Sequence, residues 1–219
     1  MMRYLKIGNW SSAIHDWTLS KFEISAPQYR RSTVNVPGRD GEIDLSDALT
    51  GAVQYANRKI TVRLENSCGT RLQREHWIYH LVNTFDGTEQ EIEMPDDEIR
   101  YMRGRLRVAT QYNDNAHAAV QITADVEPWK YSRRQTSRYF ETADAGENAL
   151  TVHNSGRKTV IPEFQVILIF PGDSLRIGSH EITDTGYFQF PDITFSPGEN
   201  SLTVTGRASF FVRFTEGVL

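Results

Sequence analysis

Two histidines lie four residues apart in the segment from Glu75 to His80, a spacing that can place both imidazoles on one metal ion. The zinc-protease motif has a glutamate directly after its first histidine, whereas here Glu75 precedes His76. No third ligand can be identified from the sequence, and two such histidines are more often part of a solvated helix face. The sequence therefore predicts no metal site and no cofactor.

The acidic segment from Asp96 to Glu98 is the second candidate for chemistry, because a pair of carboxylates can hydrolyse a glycosidic bond. Adjacent acids after a proline, here Pro95, are more often a solvated turn, and no partner carboxylate can be identified elsewhere. His15-Asp16 has no serine in a nucleophile elbow. The lone cysteine, Cys68, has no identifiable basic partner, so buried packing is its default role. We therefore predict that the protein is not an enzyme.

Three arginines, Arg103, Arg105 and Arg107, alternate with apolar residues and predict one charged face of a strand. Pairing with nearby acids is the simplest explanation, since residues 1–134 contain 18 basic and 18 acidic residues. The alternative is a contact between subunits or a surface that lines a channel. The sequence leaves both open.

The composition of the 219 residues indicates a folded chain of one large or two small domains, since 39% of the residues are hydrophobic and 24% are charged. There are 24 Lys and Arg against 28 Asp and Glu, and this formal charge of −4 does not favour binding to nucleic acid. The sequence predicts neither a membrane span nor a secretory signal. A single cysteine cannot form an internal disulfide, which suits synthesis in a reducing cytoplasm.

Alternating apolar residues predict that most of the chain forms strands. Short examples are Tyr4 to Ile7 and Lys21 to Ile24. The two longest run from Ile99 to Gln111 and from Ala118 to Val126. A hairpin turn is expected between these two at Asn113 to Asn115, because Asn and Asp tolerate left-handed backbone angles.

One amphipathic helix is predicted to precede this hairpin and to pack on a sheet. Thr70 and Gln73 match a capping box at its start, and Asp86-Gly87 matches a stop at its end. The apolar positions with helical spacing are Leu72, Trp77, Ile78, Leu81, Val82 and Phe85.

The chain is predicted to divide near residue 131. Residues 132–137 are polar without a period and predict a linker between an N-terminal domain, residues 1–131, and a C-terminal domain, residues 138–219. Residues 135–219 contain 6 basic and 10 acidic residues and so carry the whole net charge. Gly/Pro turns, among them Pro171-Gly172-Asp173, punctuate short strands in this part and predict a small β-sandwich. Those strands are expected at residues 149–152, 164–169, 174–177, 187–190, 201–204 and 209–214.

The most specific local feature is the loop Pro37-Gly38-Arg39-Asp40-Gly41. Pro37 presets the second position of a turn and Gly38 can take a positive φ at the third, which predicts a type II turn. Asp40-Gly41 then predicts a second reversal. From the residues alone, this is a sharply shaped loop between strands.

The loop resembles the signature of the distal tail proteins of long-tailed phages (siphophages), and the rest of the chain agrees with that resemblance in the right order. The agreeing segments are Asn57 to Val62, the helix to Phe85, Asp97 to Leu106 with Tyr101, Glu127 to Tyr131, Val152 to Gly156, Pro162, and Phe195 to Asn200.

The resemblance implies a mainly β fold. Its N-terminal domain would be a β-sandwich with one flanking helix and a long β-hairpin, and its C-terminal domain a small galectin-like β-sandwich. The first domain would assemble into a hexameric ring, single or back to back. The loop from Pro37 to Gly41 and the hairpin from Ile99 to Glu127 would shape that ring domain, and Arg103, Arg105 and Arg107 are candidates for the subunit contact.

The resemblance further implies a non-enzymatic hub at the tip of the virion tail, made in the cytoplasm of the bacterial host. The ring would join the major tail or tube protein to a tail-associated lysin or fibre protein and to a receptor-binding protein, without binding a specific nucleic acid or a membrane. The second part of the chain has no room for an inserted sugar-binding module. The rival function is a carbohydrate-binding module for host cell-wall polysaccharide, which would use exposed aromatic residues such as Tyr187 or Trp129.

Overall fold

Two units divide the chain, one from Met1 to Lys130 and one from Tyr131 to Leu219. The computed structural model describes residues 4–48, 51–142, 146–168 and 172–219. The predicted turn at Pro171 and the predicted end of a strand at Ile169 lie outside these residues. No helix in the described part is long and apolar enough to cross a bilayer.

The N-terminal unit is built on one antiparallel sheet with the strand order β2-β1-β7-β8-β9-β6-β3, and β4 and β5 form a separate two-stranded sheet. Its elements are β1 (Lys6–Ile7), β2 (Trp10–Ser11), a 3-10 turn (Ser12–His15), β3 (Thr18–Ile24), β4 (Thr33–Asn35), β5 (Glu42–Asp44), β6 (Arg58–Asn66), α1 (Arg71–Phe85), β7 (Glu89–Met94), β8 (Asp97–Asn113) and β9 (Ala118–Val126). A short strand, β10 (Lys130–Ser132), lies at the boundary between the units.

The predicted long hairpin is present as β8 and β9, which pair antiparallel from Gly104 opposite Val126 to Asn113 opposite Ala118. Its turn is closed by Asp114, whose carboxylate accepts hydrogen bonds from the backbone N–H groups of Ala116 and His117, at 2.8 Å each. The N–H donors of His117 and then Ala116 hold the pKa of Asp114 below its ordinary value. The turn therefore forms because a short acceptor side chain satisfies the backbone locally, as the Asn-Asp-Asn sequence predicts.

The predicted helix is α1, and both of its predicted ends are confirmed. Thr70 and Gln73 form the reciprocal capping box, and Gly87 has a φ of +74° just beyond the helix. Ile78 and two further apolar residues of α1, Leu81 and Phe85, join the core of the sheet. Leu72 does not, since it is exposed to solvent.

The C-terminal unit is a sandwich of two four-stranded antiparallel sheets, with the orders β11-β18-β13-β16 and β12-β17-β14-β15. Both sheets contribute side chains to one apolar core, which includes Phe164, Phe210 and Val204. The strands are β11 (Thr136–Thr142), β12 (Glu147–Asn154), β13 (Glu163–Leu168), β14 (Leu175–Ile177), β15 (His180–Ile182), β16 (Gly186–Gln189), β17 (Gly198–Gly206) and β18 (Ala208–Phe214), followed by the short β19 (Gly217–Val218).

The prediction of a mainly β fold with one helix is confirmed. Two strands of the sandwich, β11 and β15, were not predicted from the sequence. β11 begins inside the predicted linker, residues 132–137, so that residues 133–135 alone lie between strands. The reason is that β11 is an edge strand, in which Ser137 and Arg138 are exposed and no apolar alternation marks its first half.

Candidate assembly surface

The histidines and acids that could do chemistry lie apart, on exposed parts of the N-terminal unit. His76 and His80 are exposed on α1, and Nδ1 of His80 lies 2.8 Å from Oγ1 of Thr84. Asp97 lies at the turn between β7 and β8, where it forms an ion pair of 2.7 Å with Arg100. Within the described ranges, no three His, Cys, Asp or Glu residues are grouped so that they could hold a metal ion.

Cys68 and His15 are the other two side chains considered for chemistry, and both have structural surroundings that differ from a reactive site. Cys68 is exposed, so the expectation that it packs in the core is wrong. Its position explains the difference, because it follows β6 in a loop and its N–H donates to Oδ1 of Asn66 at 2.7 Å. His15 stacks on Trp77 with ring centroids 4.9 Å apart, which gives it a packing role.

The three arginines of β8 lie on the solvent face of the sheet, as their alternation predicts. Arg103 lies between two acids, 2.9 Å from Glu127 and 3.4 Å from Glu89. Arg105 donates to the backbone oxygen of Gly87. Of the carboxylates in the described residues, none forms an ion pair with Arg107. Charge pairing therefore accounts for one arginine of the stripe.

This charged face borders a concavity of about 1000 Å³ in the N-terminal unit. At its edge, Arg58 is buried and donates from Nε to the backbone oxygen of Ser25 at 2.8 Å. Burial lowers the pKa of Arg58, and its Nη1 has no hydrogen-bond partner among the described residues. Arg58 has the same parity along β6 as the core residues Ile60 and Val62, so it belongs to the core face of the sheet and not to the charged face.

A long segment of the N-terminal unit, residues 26–57, lies outside the core, and we call it the arm. It contains β4 and β5, which form their own two-stranded sheet. None of the described arm residues is buried and none belongs to the apolar core. Its exposed apolar side chains are Tyr29, Val34, Val36, Leu45 and Val53.

Backbone hydrogen bonds give the arm a defined shape in spite of its exposure. The N–H of Arg30 donates to the oxygen of Gln54 at 2.7 Å, and that of Ala56 donates to the oxygen of Gln28 at 2.8 Å. At its base, Trp129 contacts Tyr55 with ring centroids 5.6 Å apart. Trp129 is therefore partly covered, unlike Tyr187, the other aromatic residue proposed for sugar contact.

The loop from Pro37 to Gly41 connects β4 to β5 at the tip of the arm. The N–H of Arg39 donates to the oxygen of Val36 at 3.2 Å, and Gly38 has a φ of +84°, as expected for the third position of a type II turn. Gly41 also has a positive φ, +78°, at the second reversal. Both predicted turns are present. The loop forms the tip of a hairpin that is not buried.

Acidic side chains slightly outnumber basic ones in the arm. Its four acids are Asp40, Glu42, Asp44 and Asp47, its three arginines are Arg30, Arg31 and Arg39, and Arg31 pairs with Glu42 at 3.6 Å. Hydrogen bonds from the side chain and then the backbone of Ser46 hold the pKa of Asp44 below its ordinary value. The arm therefore has a formal charge of −1 at neutral pH, whereas the arginine stripe of β8 carries three positive charges, of which that of Arg103 is paired.

No family model and no curated protein matches the chain. A solved structure does match over its whole length. The Dit protein (gp 19.1) of phage SPP1 is similar to this chain with a TM-score of 0.69 and 14% sequence identity, and the match covers 100% of both chains. The two proteins share one fold. The likeness to SPP1 Dit includes both units, and it confirms, at the level of fold, the resemblance to distal tail proteins.

Few features of the amino-acid sequence indicate that the arm is unburied. Its apolar residues occur in two short alternations, at Val34 with Val36 and at Ile43 with Leu45. Such alternation normally predicts one buried face. One feature that does indicate it is the length of the segment between β3 and β6, which is greater than that of ordinary connections. This segment contains turn residues and has no apolar run long enough to contribute to a core.

Proposed function

We propose that this chain is the structural hub of the tail tip of a long-tailed phage. It assembles as a hexameric ring, joins the tail tube to a tail-associated lysin or fibre protein, and carries receptor-binding proteins. The fold supports this proposal, because SPP1 Dit is described as a paradigm of the hub adsorption apparatus in phages that infect Gram-positive bacteria. The chain would be made in the host cytoplasm and be located at the tip of the virion tail, without catalysing a reaction.

The arm is the observation that carries the proposal. An isolated two-stranded hairpin is marginally stable in water, and exposed apolar residues gathered on one protrusion mark a contact surface. Val34 and Leu45 are examples of arm residues that find no place in the core of their own chain. A second copy of the chain can cover them, and each Å² of apolar surface removed from water contributes about 25 cal/mol.

The arm favours a ring over a two-fold dimer, because the arm and the surface that it would cover on the next copy are different parts of the chain. A contact between two unlike surfaces leaves one arm and one receiving surface free in every pair, so copies add to a ring where the rotation between neighbours closes and to an open filament where it does not. Carboxylates of the arm, such as Asp40 in the loop, can pair with Arg105 and Arg107, the two arginines of the stripe that form no ion pair with a described carboxylate of their own chain. We propose this stripe as the receiving surface, which gives both of the predicted site sets a role in the same contact.

Changing Val34 to aspartate tests this contact. Val34 is 46% exposed, so the substitution is tolerated by the folded chain but adds a charge to the proposed interface, where an unpaired buried charge is unfavourable. We expect Val34→Asp to shift the protein from rings to single chains in analytical ultracentrifugation.

Ile167→Asp is the matched control, because Ile167 is 43% exposed on the C-terminal sandwich. It should leave the rings intact. Rings that persist in Val34→Asp at the same protein concentration would remove the arm from the interface.

A further inference from the structure

The outer face of one sheet of the sandwich carries a row of side chains that the hub function does not use. Register places one residue from each of its four strands side by side: Tyr139 of β11 opposite Phe211 of β18, Phe211 opposite Gln165 of β13, and Gln165 opposite Tyr187 of β16. We call these four residues the outer row. Because the four positions face away from the core, the row crosses the whole width of the sheet.

The sandwich does not need these aromatic rings for its core. Tyr139 is 54% exposed and Tyr187 is 62% exposed. The residues next to them in sequence, Phe140 and Phe188, pack on the core instead. The rings of Tyr139 and Phe211 lie beside each other with centroids 5.2 Å apart and planes tilted by 53°. Two large aromatic residues at the ends of the row thus remain open to solvent.

Hydrogen-bonding groups lie among and beside the rings. Oε1 of Gln165 is buried and has no hydrogen-bond partner among the described residues, so the polar groups open to a ligand are those beside the rings. The hydroxyl of Tyr139 lies 3.2 Å from a carboxylate oxygen of Glu141 and 3.2 Å from the hydroxyl of Ser209, so it is held in place. The guanidinium of Arg213 lies over the ring of Phe211, 5.3 Å from its centroid, and covers that face of the ring. Aromatic faces with fixed polar neighbours suit a ligand that has both apolar C–H faces and hydroxyl groups.

We propose that the outer row binds an extended neutral polysaccharide, with pyranose rings stacked on Tyr187 and on Tyr139, the exposed aromatic residues at the two ends of the row. The four strands place the ends of the row about 14 Å apart, a length that a short run of sugar units covers. A stable protein interface buries about 800 Å² on each partner, more than a single row of four side chains supplies.

The charges on this face favour a neutral glycan over a phosphate-rich polymer. Arg213 is accompanied on the outward positions of the sheet by the acids Glu163 and Glu141. A polyanion would need a cluster of cations, which this mixture does not provide. The proposal concerns a site on the C-terminal unit and does not depend on ring assembly.

A glycan array tests the proposal with the full chain. The probes are neutral oligosaccharides of three to five pyranose units and neutral polysaccharides from bacterial cell walls, followed by titration of the best binder. Removing one stacked ring should weaken binding about tenfold, so we expect this loss in Tyr187→Ala and in Tyr139→Ala. Tyr187→Phe keeps the ring and should bind within about twofold of the parent.

Tyr79→Ala is the matched control, because Tyr79 is 58% exposed but lies on α1, and it should bind like the parent. Equal melting temperatures show that each variant folds. An array on which no glycan binds, or a Tyr187→Ala titration that matches the parent, would overturn the proposal. Loss of a protein partner in Tyr187→Ala, with no glycan bound by the parent, would also overturn it and assign the row to a protein contact. The mass of the assembly formed by Tyr187→Ala is measured as well. An unchanged mass shows that loss of glycan binding by this variant is not caused by a failure of ring assembly.

Discussion

Single residues decide how closely the strands of the N-terminal sheet approach each other, and Gly104 is the clearest case. It lies on β8 opposite Val126 of β9. A Cβ atom at Gly104 would lie 2.1 Å from the backbone oxygen of Asp125 and 2.6 Å from Cα of Val126. The neighbours are backbone atoms of the sheet, so they cannot move aside as a flexible side chain would.

We expect Gly104→Ala to destabilise the N-terminal unit by about 2–4 kcal/mol, because the strands must separate to admit the methyl group. Gly186→Ala is the matched control in a strand of the other unit, since a Cβ there meets only the ring of Phe188 at an ordinary 3.6 Å. Differential scanning calorimetry measures both effects. Equal melting temperatures for the two variants would show that the sheet adapts to the added group.

At the scale of elements, α1 and the β8–β9 hairpin are tied together by a buried side chain. Arg74 of α1 is fully buried. Its guanidinium donates to the backbone oxygens of Gly69 and Asp114, at 2.7 Å each, and to that of Cys68 at 3.3 Å. One side chain thus joins the start of the helix to the hairpin turn, and the charge is compensated by backbone carbonyl groups.

We expect Arg74→Met to lower the free energy of unfolding by about 2–4 kcal/mol, because three carbonyl groups lose a charged donor while the apolar stem is kept. Arg71→Met, on the exposed side of the same helix, should change it by less than about 0.5 kcal/mol. Urea titration followed by far-ultraviolet circular dichroism gives both values. A similar change in the two variants would mean that Arg74 does not tie the elements together.

Local signals explain which elements could be predicted from the sequence. The capping box of Thr70 and Gln73, the turn at Asp114 and the turn at Gly38 depend on residues a few positions apart, so they are visible in sequence. The role of Arg74 is not, because its acceptor on Asp114 is distant in the chain. The register that aligns Tyr139 with Tyr187 is also non-local, since it depends on the pairing of four strands.

The whole molecule combines two units whose predicted roles differ. The N-terminal unit carries the arm and the arginine stripe, which we propose as the two sides of one ring contact. The C-terminal unit is a sandwich that carries the outer row on one face. Residues 135–219 carry the whole formal charge of −4. Negative charge on the C-terminal unit would favour the solubility of assembled copies. The assembly, and not a catalytic site, is therefore the property on which the proposed function depends.

Native mass spectrometry of the full chain, beside a variant in which residues 30–54 are replaced by a short Gly/Ser linker, tests ring assembly through the arm most directly. The core residues lie outside this segment, so the shortened chain should fold with an unchanged N-terminal sheet. We expect closed hexamers for the full chain and single chains for the shortened one. A full chain that stays monomeric at high concentration, or a shortened chain that still forms hexamers, would contradict this expectation.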